Sequence, residues 1–256
     1  MSVPQTVLDA EQVVSSFLSG LSAAPPPPPP PPVEPPEFLL EIGYAKLFSI
    51  GTTIVFQSGM QIDADGSPQA YHPTSSKGLD ALGNAGRPGN WWGIATSNGK
   101  ASGKPVIQGV GDPAPGFYVS TTALEIAGFT ETQQQRYINA SIVPFIVLPS
   151  GFGCGTKLGD LVFCYNVETG DNNFGMFADI GPRGQIGEAS IAMASSLRVP
   201  HSPRTGGTAG GIVTIIWPGS GKGYQENAAV LDQGGQLLRD WGGLAKVKEL
   251  VSEEIL

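Results

Sequence analysis

The stretch FGMFADIGPRGQIGEASIAM, residues 174–193, carries the reading of the fold. Its opening run, Phe174 to Ala178, is apolar apart from a glycine and ends on Asp179, as a buried strand that delivers an acid at its end would. Gly181, Pro182, Gly184 and Gly187 then force a sharp turn. Beyond it Ala189, Ile191, Ala192, Ala194 and Leu197 fall at mixed helical spacing, which predicts a short helix with Glu188 in or just before its first turn. A strand end and a helix start joined by a tight loop would bring Asp179 and Glu188 to one cleft.

Short apolar runs bounded by turn residues continue on both sides. Strands are expected at 38–42, 47–50, 52–57, 91–95, 106–108, 116–119, 144–148, 160–165 and 211–217, in addition to 174–179. Many short strands of this kind make a barrel or a sandwich. Residues 130–140 read as the best internal helix, with Thr130 as its N-cap. The run from Gln225 predicts one or two helices broken near Gly242 and Gly243, through Leu231, Leu237, Leu238, Trp241, Leu244, Val247 and Leu250.

The N-terminal region differs in kind. Residues 5–21 read as a weak amphipathic helix or an unstructured leader, and Pro25–Pro32 is an unbroken proline run, a stiff polyproline II spacer. Four segments follow: a leader at 1–24, a linker at 25–37, a main domain at 38–223 and a helical extension at 224–256. The leader has no basic n-region and carries Asp9 and Glu11 ahead of its apolar residues, so it does not read as a secretory signal. No apolar run approaches transmembrane length, so a membrane span is not expected.

Composition narrows the partners. With 36 Gly and 23 Pro among 256 residues and 14% charged residues, the chain is loop-rich and strand-rich rather than helical. A net charge of −8 disfavours nucleic acid, since there is no basic stripe to neutralise phosphates, and favours a cationic substrate. Cys154 and Cys164 read equally as one hairpin disulfide or as two free thiols. With His72 and His201 the only histidines, no zinc site is expected.

Candidate chemistry rests on acids. Asp179 and Glu188 read either as structural caps or as the two carboxyls of glycoside hydrolysis, one donating a proton and one activating water. Asp63 and Asp65, in a turn with Gly66, read as a hairpin signal or as holders of substrate ammonium groups. A calcium loop is rejected there, because Pro68 and Tyr71 supply no further oxygen ligands at the required spacing. Trp91 and Trp92, if on a strand, point to opposite faces, so one can be core while the other stacks on a sugar. Asp112 reads as a turn acid or a subsite acid, ahead of a strand that carries Tyr118. Residues 218–223 lack the glycine spacing and the Ser or Thr of a phosphate loop, and residues 205–211 lack the strand-then-helix setting of a dinucleotide fingerprint.

The blocks DADG (63–66), NWWGIAT (90–96), DPAPGFYVSTTA (112–123), IVPFIVLP (142–149), KLGDL (157–161), ADIGP (178–182), IGEASIA (186–192) and WPGSG (217–221) together resemble the chitosanases of glycoside hydrolase family 75. The resemblance spans about residues 55–222 in consistent order. It implies endo-hydrolysis of β-1,4-linked glucosamine polymers with inversion, with Asp179 and Glu188 as the catalytic acids. Asp63, Asp65, Trp91, Trp92, Asp112 and Tyr118 are then the candidate contacts to chitosan or partially deacetylated chitin oligomers. No metal or organic cofactor is implied. A compact six-stranded β-barrel, of the double-psi kind, with a few peripheral helices is the expected fold, and the expected form is a monomer, secreted or at the cell surface. Ala189 stands where the family pattern has Gly. A non-catalytic carbohydrate-binding module on the same fold and hydrolysis of another amino-sugar polymer are the competing expectations.

Overall fold

The computed structural model describes residues 34–253; the helix reading at 5–21 and the proline run lie outside the described residues. The elements run β1 (Glu37–Ile42), β2 (Ala45–Ile50), β3 (Thr53–Asp63), β4 (Gly86–Arg87), β5 (Asn90–Trp91), β6 (Phe145–Pro149), β7 (Leu161–Asn166), β8 (Asn172–Gly181), β9 (Glu188–Ser190), α1 (Ile191–Ser196), β10 (Thr208–Ile216), α2 (Asn227–Trp241) and α3 (Gly243–Ser252). Six strands close into a barrel in the order β3, β10, β7, β8, β6, β9 and back to β3, with β1 and β2 as a hairpin appended to β3. The pairs β3–β9 and β6–β8 are parallel and the other barrel pairs antiparallel.

Strand β3 makes closure feasible because it is long. Its first part pairs with β2 and β10, and its last three residues, Gln61 to Asp63, pair with β9. Closing the ring removes the edges that an open sheet would expose.

Two apolar layers follow from the period-two alternation of strands. One layer draws on all six barrel strands, with Phe56, Ile62, Ile146, Leu148, Val162, Cys164, Phe177, Ala189 and Ile212 among its members, and so fills the barrel. The other contains Val55, Phe145, Val147, Phe163, Met176, Val213 and Ile215 on the outer face, where Val230, Val247 and Leu250 of α2 and α3 cover them. Each large side chain fully buried in this way stabilises the fold by about 1.5–3 kcal/mol. Gly234 of α2 lies against the Phe174 ring: a Cβ there would stand 2.5 Å from its Cδ1. The C-terminal helices are therefore part of the core, and α2 ends at Trp241 with Gly242 as its C-cap, as the sequence predicts.

The structure departs from the sequence reading at several places. Residues 130–140 hold only a three-residue 3-10 turn, Gln134–Arg136, because Gln134 turns inward and bonds the carbonyls of Gly66 and Ser120 and the N–H of Ser120. Glu188 lies ahead of the helix, on β9, rather than in its first turn, and Ser190 caps α1 by accepting from the Met193 N–H at 3.1 Å. The runs at 106–108 and 116–119 contribute an isolated bridge, Ile107 to Tyr118, and of the run at 91–95 only Trp91 belongs to a strand. Both cysteines are free thiols, Cys154 exposed and Cys164 inside the barrel, which excludes the hairpin disulfide.

Candidate active site

Asp63, Asp179 and Glu188 sit on β3, β8 and β9 of the barrel, and strand register explains how they come together. Val147 of β6 is the direct partner of Asp179 on β8 and of Glu188 on β9. The two acids thus flank one residue across two strand spacings, about 9–10 Å between backbones.

A bulge aims Asp179. Ile146 pairs with Phe177 and Val147 pairs with Asp179, so Ala178 is an extra residue in β8. Strict alternation from Phe177, which faces the barrel interior, would turn Asp179 inward as well. The inserted residue instead puts Asp179 opposite the outward Val147.

Glu188 is placed by its neighbours in sequence. Gly187 has φ +93°, a conformation that L side chains rarely adopt, and a Cβ there would fall 2.5 Å from the Gly59 carbonyl oxygen. Its own carbonyl accepts from the Gln61 N–H at 2.9 Å, which starts the parallel ladder to β3. Two residues on, the Ser190 hydroxyl accepts from the Phe145 N–H at 3.0 Å and donates to the Val143 carbonyl at 2.9 Å, tying β9 to the start of β6.

The same parallel pairing carries Asp63 to the site, since Gln61 opposes Glu188 and Asp63 opposes Ser190. Asp63 Oδ1 accepts from the Asp65 N–H at 2.7 Å, and its buried Oδ2 has no hydrogen-bond partner. Asp65 Oδ1 accepts from the Tyr71 hydroxyl at 2.5 Å. Asp63, Asp65 and Asp179 each offer a carboxylate oxygen within 4.8 Å of the other two, a spacing that suits one shared cation, metal ion or ammonium group.

These acids line a cleft of about 710 Å³, with Glu188, Asp80 and Trp92 around them. That volume lies in the range of small-molecule sites. Among the described residues Arg204 is the cation in its wall, and its Nη2 is spent on the carbonyls of Ser75, Gly78 and Asp80. Asp80 is itself tied to the Ala81 N–H and the Asn84 amide. Acids crowded in this way resist ionisation. Burial holds Asp63 well above the ordinary carboxyl range, and the charges of Asp65, Asp179 and Glu188 add to it. Burial does the same to Asp65, with the Asp179 charge adding and the Tyr71 hydroxyl opposing. Asp179 is pushed up to about 7 by burial, against the Ala123 and Ile180 N–H groups that its Oδ1 accepts at 2.8 Å. Glu188 is raised by burial and by the charge of Asp80.

Of the sequence candidates, Asp63, Asp65, Trp92, Asp179 and Glu188 share this cleft. Trp91 does not: it is buried, packed 6.3 Å from the Tyr118 ring, while Trp92 is 60% exposed. Tyr118 and Asp112 also stay outside the cleft lining, and Asp112 closes its own turn by accepting from the Gly109 N–H at 2.7 Å. Asp80 and Arg204 were missed because no local pattern marks them. They reach the cleft from loops, Asp80 between β3 and β4 and Arg204 between α1 and β10.

The chain matches no family model and no curated protein.

Proposed function

We propose that the chain is an endo-acting glycoside hydrolase that cleaves β-1,4 glucosamine linkages of chitosan with inversion. The observation that carries this reading is the placement of Asp179 and Glu188 on either side of Val147. Inversion needs carboxyls about 6.5–9.5 Å apart to admit a water, whereas retention brings them to about 5–5.5 Å. Two strand spacings favour the wider arrangement.

In this mechanism Asp179, with its carboxyl pushed up to about 7, holds the proton and gives it to the glycosidic oxygen as the bond from C1 breaks. Glu188 takes a proton from the water that attacks C1 from the opposite face. Asp63 and Asp65 hold a substrate ammonium, and the arriving cation favours their ionised forms. Trp92 supplies an exposed ring on which a sugar can stack.

The deciding experiment incubates the protein with chitosan of defined acetylation and follows reducing ends and the anomeric configuration of the first products. Release of α-anomeric products supports the reading. Binding of chitosan without new reducing ends would replace it with a carbohydrate-binding module.

A further inference from the structure

A second pocket of about 260 Å³ adjoins the acidic cleft and shares Trp92 with it. We propose that this pocket is a distal subsite for an amino-sugar unit of the same polymer, with Trp92 as the platform over which the chain passes from one to the other. The proposal rests on the reading of the cleft as a chitosan site and extends it by naming where the polymer continues.

Trp92 is built to be presented. It is exposed, yet its Nε1–H donates to the Asn84 carbonyl at 2.7 Å and its backbone N–H to the Ala85 carbonyl at 3.0 Å. A large ring fixed at its polar edge and left open over its faces loses little freedom when a sugar stacks on it. The space beyond is small, enough for a single sugar ring, and Trp91 and Tyr137 contribute to its walls.

Its polar groups differ from those of the cleft. Glu125 is neutralised by Arg136 at 2.6 Å, whereas the side chains of Glu131 and Lys100 make no hydrogen bond or ion pair among the described residues. One free acceptor and one free donor in a shallow pocket suit the hydroxyls and the nitrogen substituent of a hexosamine. The cleft, by contrast, gathers Asp63, Asp65, Asp80, Asp179 and Glu188, and so selects for positive charge. The recognition of charge and the recognition of length thus fall to different places.

The test compares binding of glucosamine trimer and hexamer, by calorimetry, in an Asp179→Asn protein that slows turnover, alone and with Ala101→Trp or Trp92→Ala added. Ala101 is exposed and lines the second pocket without lining the cleft, so a tryptophan there fills only the distal space. Hexamer is expected to bind roughly tenfold tighter than trimer, and each added change is expected to remove that advantage while leaving trimer affinity under Ala101→Trp unchanged. Glu131→Gln, a milder change, is expected to reduce the advantage several-fold. Equal affinity for the two oligomers, or an advantage that survives Ala101→Trp, would overturn the subsite. If the unmutated chain releases no reducing ends but the length advantage disappears as described, the hydrolase reading fails and the subsite stands. If hydrolysis is seen and the advantage is absent, the reverse holds.

Discussion

Asp179 and Glu188 are both cross-strand partners of Val147, one reached through a parallel pairing and the other through an antiparallel one. The ladders therefore fix the spacing of their backbones at about two strand spacings.

Asp179→Asn and Glu188→Gln should each lower chitosan hydrolysis by about 100-fold or more, the scale of general acid or base catalysis. Reducing-end assays measure the loss, and unchanged circular dichroism shows that folding is kept. Near-parental rates in either variant would sink the proposed roles.

The pH dependence has a defined sign. Asp63, Asp65 and Asp179 are all raised in the folded state, so the folded chain binds protons that the unfolded chain has released. Their contribution to stability is full below about pH 4 and is lost as pH rises through the folded values, about 7 for Asp179. The melting temperature should be higher at pH 5 than at pH 8, and Asp179→Asn should flatten that difference. Activity should likewise fall on the alkaline side as Asp179 loses its proton.

Asp63→Asn replaces a carboxyl that is costly to ionise with a neutral amide, a gain that is felt at pH values where the parent must lose that proton. The melting temperature of the variant should rise, by about 2–4 °C if about 1 kcal/mol is relieved. KM for chitosan should rise with it, since the same crowding attracts the ammonium. A variant less stable than the parent would show that the Asp63 carboxylate is compensated by a partner.

Gly187→Ala forces a Cβ onto the Gly59 carbonyl at a positive φ. A destabilisation of about 1–3 kcal/mol is expected from the backbone strain alone, with loss of activity as Glu188 shifts. Urea denaturation checks the first and reducing-end release the second.

Much of the barrel could be read from the chain because its strands are covered on both faces. Runs such as Leu161 to Tyr165 and Phe174 to Ala178 are apolar almost throughout, and that continuity identifies them without any partner. Residues 130–140 misled because Gln134 gains more from bonding two distant carbonyls than a helix would give it. The acids themselves could be named from sequence. Their convergence could not, since it depends on a one-residue bulge at Ala178 and on β3 meeting β9 across more than a hundred residues. Asp112 and Tyr118, expected as substrate contacts, lie outside the lining of this cleft, a placement that no local pattern in the sequence gives.

The double engagement of β3 also has a kinetic consequence. The hairpin with β2 can form early from neighbouring residues, but pairing of Gln61 with Glu188 must wait for a loop spanning most of the domain to close. Folding should be slow for a chain of this size, since the ladder that seats Glu188 opposite Gln61 and the β3–β10 ladder both join residues more than a hundred positions apart. Recovery of activity on refolding would then lag recovery of strand signal, making the reaction itself a clock for barrel closure.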